Sequence, residues 1–244
     1  MNQLLAQCFG EFSGTFLLIL LGNGVTSSNL LRKTKSENSG WLTIIIGWGL
    51  AVALATYAVS FYAPGFFNPA IVLAFIVNGK VTMATGLLYV LSEFTGAILA
   101  SVLLWLYFYP HWAETRDAEL ILACFSTIPA IRHRWTNFLS EFLSTGLLAG
   151  FSFLLAFYKF APQVTPLITG LLIMTLSFSL GSTTGLALNP ARDIGPRLAH
   201  FILPIKNKGK SDWAYAWIPL FGPILGGVTG ALIFKVFTTF ILVK

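Results

Sequence analysis

Two charge-free stretches, residues 38–79 and 160–191, constrain this chain more than any other feature. At 42 and 32 residues they exceed the roughly 20 apolar residues that one crossing of a bilayer needs, and each carries Gly, Pro and Asn near its far part. Each must therefore be broken. The breaks read Pro64-Gly65-Phe66-Phe67-Asn68-Pro69-Ala70 and Gly185-Leu186-Ala187-Leu188-Asn189-Pro190-Ala191-Arg192, so both contain Asn-Pro-Ala. At ordinary residue frequencies one copy of that tripeptide arises by chance with a probability of roughly 0.04, and two with roughly 0.001. Coincidence is a poor explanation.

Further charge-free windows cover residues 12–31, 94–113, 142–158 and 213–234, and only 10% of the chain is charged, against about 25% in a soluble domain. The sequence therefore predicts an all-α membrane protein with spans near residues 5–29, 41–62, 83–109, 137–159, 164–183 and 213–240. Little chain is left over, so a soluble catalytic, nucleotide-binding or receptor domain is excluded and any function must sit inside the bundle. The net charge of +6 comes from loop clusters such as Arg32-Lys33, Arg132-His133-Arg134 and the lysines at 206, 208 and 210. Without a basic stripe on a polar domain, they speak against nucleic acid and for lipid headgroups or loop solubility. Cys8 and Cys124 have no metal or redox spacing and read as unpaired, so neither a metal nor a cofactor is expected. No basic region precedes the apolar run from Phe12 and no small-residue cleavage site follows it, which fits a retained first span.

The halves echo each other. Glu11-Phe12 recurs as Glu141-Phe142 and Gly96-Ala97 as Gly226-Gly227, both 130 residues on, and Asn189 follows Asn68 by 121. Residues 1–244 then form a single transmembrane domain built from repeats of about 1–110 and 133–244. Three spans per repeat is an odd number, so the second copy enters the membrane inverted.

Asn is a favoured N-cap, and Pro at the first helical position loses no hydrogen bond, so Asn-Pro reads as a helix start. The apolar run 69–78 holds 10 residues, about 15 Å of helix and half of a hydrocarbon core of about 30 Å. It is a re-entrant half-helix, and its inverted counterpart begins at Pro190. Their N-termini can meet near the midplane as a seventh, discontinuous span. Irregular backbone at that depth must be buried in protein or line water. With the cap oxygens engaged, the amide NH₂ groups of Asn68 and Asn189 are expected to be free to donate into a lumen. Two helix N-termini add about half a positive charge each, which disfavours cations and hydronium while neutral solutes pass.

These residues resemble the aquaporin family, whose pores carry paired Asn-Pro-Ala motifs on inverted half-helices, and the resemblance covers nearly the whole chain. Asp193, Arg197, Pro219 and Leu220 are similar to glycerol facilitators within it. The resemblance implies a constriction ring of Trp48, Ser177, Leu186 and Arg192, in which Arg192 donates to solute hydroxyls and Trp48 forms an apolar wall for the carbon skeleton. Glycerol facilitators usually have Gly and a second aromatic in place of Ser177 and Leu186, which implies a more polar, differently shaped ring here. Pro64-Gly65-Phe66-Phe67 replaces the small residue, Ala and His common in the family before Leu-Asn-Pro-Ala, which implies a less polar vestibule there. The implied function is a passive channel for glycerol, water and other small neutral solutes, including protonated lactic acid, dihydroxyacetone and urea. The resemblance also implies no enzymatic step, a homotetramer in the lipid bilayer and a multi-pass protein of a prokaryotic plasma membrane. It assigns Glu11 and Glu141 to accepting backbone N–H groups of the pore loops; a proton relay is the alternative for these intramembrane acids.

Other features have plainer readings. Arg192 could instead pair with Asp193, which itself suits a helix N-terminus. Gly10 and Gly14, Gly146 and Gly150, and Gly222, Gly226 and Gly230 have helix-packing spacing. His111, His133 and His200 read as interfacial or loop residues, with His133 between two arginines open to pH sensing. Trp41, Trp112 and Trp213 read as an aromatic belt. The family topology puts Arg32, Lys33, Lys35, Arg116, Arg132, Arg134 and the lysines at 206, 208 and 210 outside, leaving Lys80, Lys159, Lys235 and Lys244 inside, against the positive-inside rule. A secondary transporter can also use inverted repeats, but the spans offer only Glu11, Glu93 and Glu141 as coupling groups. An intramembrane enzyme would need a nucleophile and base that the histidines do not supply.

Overall fold

The computed structural model describes residues 3–158 and 160–242. Lys159, the expected end of the fourth span, and Lys244 lie outside the described residues. All regular structure among the described residues is helical: α1 (Gln3–Leu30), α2 (Trp41–Val59), α3 (Pro69–Val77), α4 (Met83–Tyr107), α5 (Tyr109–Glu114), α6 (Ala118–Ala123), α7 (Arg134–Tyr158), α8 (Thr165–Leu180), α9 (Pro190–Ile202) and α10 (Trp217–Phe237), the last running into a π-helical turn, Thr238–Leu242. Helices α1, α2, α4, α7 and α10 are long and apolar enough to cross a membrane. The fifth span, α8, has 16 residues and so is only about 24 Å long. The short helices α5 and α6, absent from the sequence reading, cover one end of the bundle.

The packing follows the internal repeat. Helix α1 lies on α2 and α4 as α7 lies on α8 and α10, and α2 meets α8 between the halves. The half-helices cross over: α3 packs on α10 and α9 on α4, so each stub is held by the last span of the other half. Lipid tails give helices no hydrophobic reason to associate, and close backbone approach supplies the attraction instead. A Cβ on Gly96 would strike the Phe12 carbonyl oxygen, and one on Gly226 would strike that of Phe142. Those two pairs are themselves 130 residues apart. Gly230 likewise lies on the Gly146 carbonyl. Gly150 departs from its packing assignment, because a Cβ there would meet nothing within 4 Å.

The loops 31–40, 108–133 and 203–216 share one face. Arg32 N–H donates to Thr115 Oγ1 (3.0 Å), and Asn207 Nδ2 reaches the carbonyls of Trp112 (3.2 Å) and Thr115 (3.0 Å). Trp112 does not belong to an aromatic belt: it is 1% exposed, its indole N–H donates to the Trp105 carbonyl (2.9 Å) and its ring lies 5.6 Å from Phe125. Trp41 and Trp213 are exposed. Salt bridges Arg32–Glu37 and Lys33–Glu114, both 2.6 Å, tie the first loop to itself and to α5. The Arg32 hydrogen bond holds the Glu37 carboxyl below the usual carboxylate range, and Lys33 does the same for Glu114.

A lowered carboxylate contributes stability above its unfolded value and loses it as pH falls through the folded one. Hydrogen-exchange protection in loop 31–38, taken relative to the intrinsic rate at each pH, should therefore be held at pH values above 4.5 and fall on further acidification. Gly226→Val should overpack the α7–α10 contact and cost about 1–3 kcal/mol, lowering the melting temperature of detergent-solubilised protein, whereas Gly150→Ala should leave it unchanged or raise it.

Candidate functional site

Each Asn-Pro pair starts its half-helix. Asn68 (φ −154°, ψ 110°) and Asn189 (φ −151°, ψ 112°) are extended caps with Pro in the first helical turn. Asn68 Oδ1 accepts from Ala70 N–H (3.0 Å); Asn189 Oδ1 accepts from Ala191 (2.9 Å) and Arg192 N–H (3.1 Å). The approaching loops turn through the left-handed region at Phe67 (φ 51°), Leu186 (φ 53°) and Leu188 (φ 56°). Such a conformation costs bulky residues on the order of 1–3 kcal/mol each and persists only where the surroundings enforce it.

Two buried acids enforce it. Glu11 accepts from the N–H groups of Gly65 (2.9 Å), Phe66 (3.0 Å) and Phe67 (2.7 Å). Glu141 accepts from Thr184 Oγ1 (2.6 Å) and from the N–H groups of Ala187 and Leu188, both at 3.0 Å. With the N–H groups gathered on one side of each loop, a carbonyl turns the other way. The Phe67 carbonyl accepts from Asn189 Nδ2 (2.6 Å) and the Leu188 carbonyl from Asn68 Nδ2 (2.8 Å). The amides are thus not wholly free, as the sequence reading had them: each gives one N–H to the opposite loop and keeps one.

A cavity of about 420 Å³ runs past both amides. It touches α2 from Trp41 to Thr56, a depth of about 22 Å along a helix, and its wall includes Trp48, Asn68, Ser177, Leu186, Asn189 and Arg192. Four of its hydroxyls are engaged as donors: Thr56, Ser152, Thr169 and Ser177 each donate to a carbonyl of their own helix, at 2.7–3.0 Å. They offer the lumen oxygen lone pairs. Among these wall groups, unengaged side-chain N–H groups remain on Asn68 and Asn189, with one N–H each, and on Arg192.

The Arg192 guanidinium lies over the Trp48 indole, 4.3 Å from its centroid, and donates to the Phe125 carbonyl (3.3 Å). Donor and apolar walls therefore touch along one edge instead of facing each other across the passage. Arg192 does not pair with Asp193. That carboxyl accepts from Arg197 Nε (2.9 Å) and from Thr127 N–H (2.8 Å) and Oγ1 (2.6 Å), while Arg197 also donates to the Thr127 (3.0 Å) and Ser211 (2.9 Å) carbonyls. Asp193 and Arg197 are both fully buried and lock α9 to the loops at 127 and 211. Pro219 and Leu220 occupy the first turn of α10, outside the cavity wall. His111 lies in the short helix α5, bonded to the Arg32 carbonyl (2.9 Å), and His133 in the loop before α7, bonded to Thr136 Oγ1 (3.0 Å). His200 is not a loop residue: it is buried inside α9 against Ser211 Oγ (2.8 Å).

Residues the sequence reading passed over take part as well. Glu93 Oε1, a coupling group on the transporter reading, accepts the Asn68 backbone N–H (2.8 Å). Its counterpart 130 residues on is Pro223, so the repeat gave no second copy to flag it. Thr184 and the Phe125 carbonyl had no local signal. Glu141→Gln puts an NH₂ where N–H donors converge and should cost about 1–3 kcal/mol for each group left unsatisfied, read as a lower melting temperature; Thr184→Val should cost less, because two backbone bonds to Glu141 remain.

Residues 1–234 match the family model for the major intrinsic protein family. The chain is 48% identical over 237 residues to glycerol uptake facilitator protein 3 of Lactiplantibacillus plantarum, covering 96% of this chain and 98% of the relative. It is 47% identical over 237 residues to the glycerol uptake facilitator protein of Streptococcus pneumoniae, covering 97% and 100%. Its fold matches the X-ray structure of the aquaglyceroporin from Plasmodium falciparum with a TM-score of 0.84 at 24% identity, over 98% of this chain and 97% of that one. With its membrane-crossing helices, paired half-helices and these relatives, the chain belongs to the major intrinsic protein family and is a multi-pass membrane protein.

Proposed function

We propose that this protein is a passive channel for glycerol and related small neutral solutes, formed by one transmembrane domain of inverted halves, about 1–110 and 133–244. The observation that carries the reading is the cavity that borders Asn68 and Asn189 and extends along α2 to both sides of them. The relatives named as glycerol uptake facilitators support the solute class.

On this reading the Asn-Pro-Ala segments, Asn68-Pro69-Ala70 and Asn189-Pro190-Ala191, set the meeting point of the half-helices, and each amide offers its remaining N–H to a passing oxygen. Glu11 and Glu141 hold the pore loops in shape. Trp48, Ser177, Leu186 and Arg192 form the constriction, with Asp193 and Arg197 fixing the helix that carries Arg192. A polyol hydroxyl is both donor and acceptor, so it can donate to the lone pairs of Thr56 or Ser152 and accept from Arg192 and the asparagines. Its C–H side slides on Phe66, Phe75 and Leu148. Ions are disfavoured because the passage supplies few compensating charges and two helix N-termini add positive potential. The same family resemblance supports a homotetramer, checked by the mass of the detergent-solubilised complex.

Proteoliposomes shrunk in a glycerol gradient should re-swell faster than empty vesicles, with non-saturating, weakly temperature-dependent flux; saturation with coupling to a proton or sodium gradient would make the protein a transporter instead. Lactic acid should cross in proportion to its neutral fraction as pH changes, and a flux that grows with the lactate anion would remove the acid from the solute class.

A further inference from the structure

Both walls of the constriction trace back to a single stretch of α1. Trp48 donates its indole N–H to Thr26 Oγ1 (3.0 Å), and that hydroxyl is fixed in turn by donating to the Gly22 carbonyl (3.0 Å). Gly22 is the floor under the ring: a Cβ there would lie 2.5 Å from Trp48 Cε3 and Cζ3. Between these two residues stands Asn23, fully buried, whose Nδ2 donates to the Phe125 carbonyl (3.0 Å). That carbonyl is also the acceptor for Arg192 Nη1 (3.3 Å).

We infer that Gly22, Asn23 and Thr26 are specificity-positioning residues, which set the width of the constriction by fixing Trp48 directly and Arg192 through the Phe125 carbonyl. The inference rests on the reading of Trp48 and Arg192 as the narrowest walls of a solute passage. Its physical content is that an indole needs one partner for its N–H and one floor for its face, and α1 provides both within about one helical turn. Asn23 acts on the other wall. A buried amide that donates to a loop carbonyl fixes where that carbonyl sits, and a guanidinium sharing the same oxygen is drawn to the same place. Asn23 has no other hydrogen-bond partner for its side chain among the described residues, its Oδ1 being unbonded, so its contribution to the structure is this one long-range bond. Thr26 borders the cavity, but its hydroxyl already donates to Gly22 and accepts from Trp48, so it acts through the ring it holds.

The two substitutions on the Trp48 side carry opposite signs. Thr26→Val keeps the shape and removes the acceptor, so the indole swings away from its seat and the aperture loosens. Gly22→Ala keeps every hydrogen bond and pushes the ring toward the lumen. The measurement is the ratio of erythritol to glycerol permeability, and of glycerol to water, on the same proteoliposomes, which cancels differences in protein abundance. Thr26→Val should raise the erythritol-to-glycerol ratio by roughly threefold or more, the scale set by losing one ordinary hydrogen bond. Thr26→Ser should restore it. Gly22→Ala should lower the glycerol-to-water ratio. Asn23→Leu should shift the erythritol-to-glycerol ratio by releasing Arg192, with the Trp48–Thr26 hydrogen bond left in place.

Trp48→Ala is the arm that separates the two levels of argument. If it changes the ratios while the α1 variants leave them at the wild-type values, the positioning role is overturned and the channel reading stands. If Trp48→Ala also leaves them unchanged, the constriction has been misplaced, and the inference falls with it.

Discussion

Two hydrogen bonds hold the centre of this molecule: Asn68 Nδ2 to the Leu188 carbonyl and Asn189 Nδ2 to the Phe67 carbonyl. Each joins the cap of one half-helix to the residue just before the cap of the other, so neither stub can be placed without its twin. The strain around them follows from that demand. Phe67 and Leu188 take left-handed backbone angles, which turn their carbonyls across to the opposite amide. Glu11 and Glu141 then collect the N–H groups that the turn leaves without helix or sheet partners. An unpaired N–H at this depth would cost more than the strain does.

Around this symmetrical clasp the halves diverge. After the first motif comes Ile71, part of an apolar cluster; after the second comes Arg192, stacked on Trp48. The first cap receives an additional buried acid, Glu93, on its backbone N–H, where the second half has Pro223. A buried guanidinium needs its surroundings fixed, because a displaced charge loses its partners without regaining water. The neighbouring Asp193–Arg197 pair, closed by Thr127 and the Ser211 carbonyl, fixes α9 and its N-terminus. The repeat thus supplies the scaffold, and departures from the repeat supply the chemistry.

The same division explains what could be read from the sequence. Asn-Pro is a local signal, since cap and first-turn proline act within three residues, and it located both half-helix starts. Glu11 and Glu141 were visible because an acid in an apolar span must have a reason and because each repeats the other. The clasp was missed: its donors and acceptors are 120 and 122 residues apart, and the cap rule accounts for an Asn side-chain oxygen while saying nothing about where its NH₂ goes. His200 and Trp112 were misplaced for a related reason. Their sequence neighbours are polar or lie near span ends, but tertiary contacts with Ser211 and Phe125 bury them. Helices α5 and α6 carry too few residues for a periodic pattern to show.

What the wall offers a solute is set by these same engagements. Hydroxyls line much of the cavity, yet those of Thr56, Ser152, Thr169 and Ser177 are turned back onto their own helices, so that stretch accepts hydrogen bonds and donates few. Donors are concentrated at the asparagines and Arg192. On the proposed reading, a molecule moving through must give hydrogen bonds along the hydroxyl-lined stretch and receive them at the centre and the constriction. A pure acceptor would be stripped of water beside Thr56 and Ser152 without replacement, and a cation would meet the positive ends of two helices after leaving its hydration shell. A hydroxyl meets both requirements by rotating about its C–O bond, which is why a small polyol suits a wall whose donors and acceptors are segregated along its length.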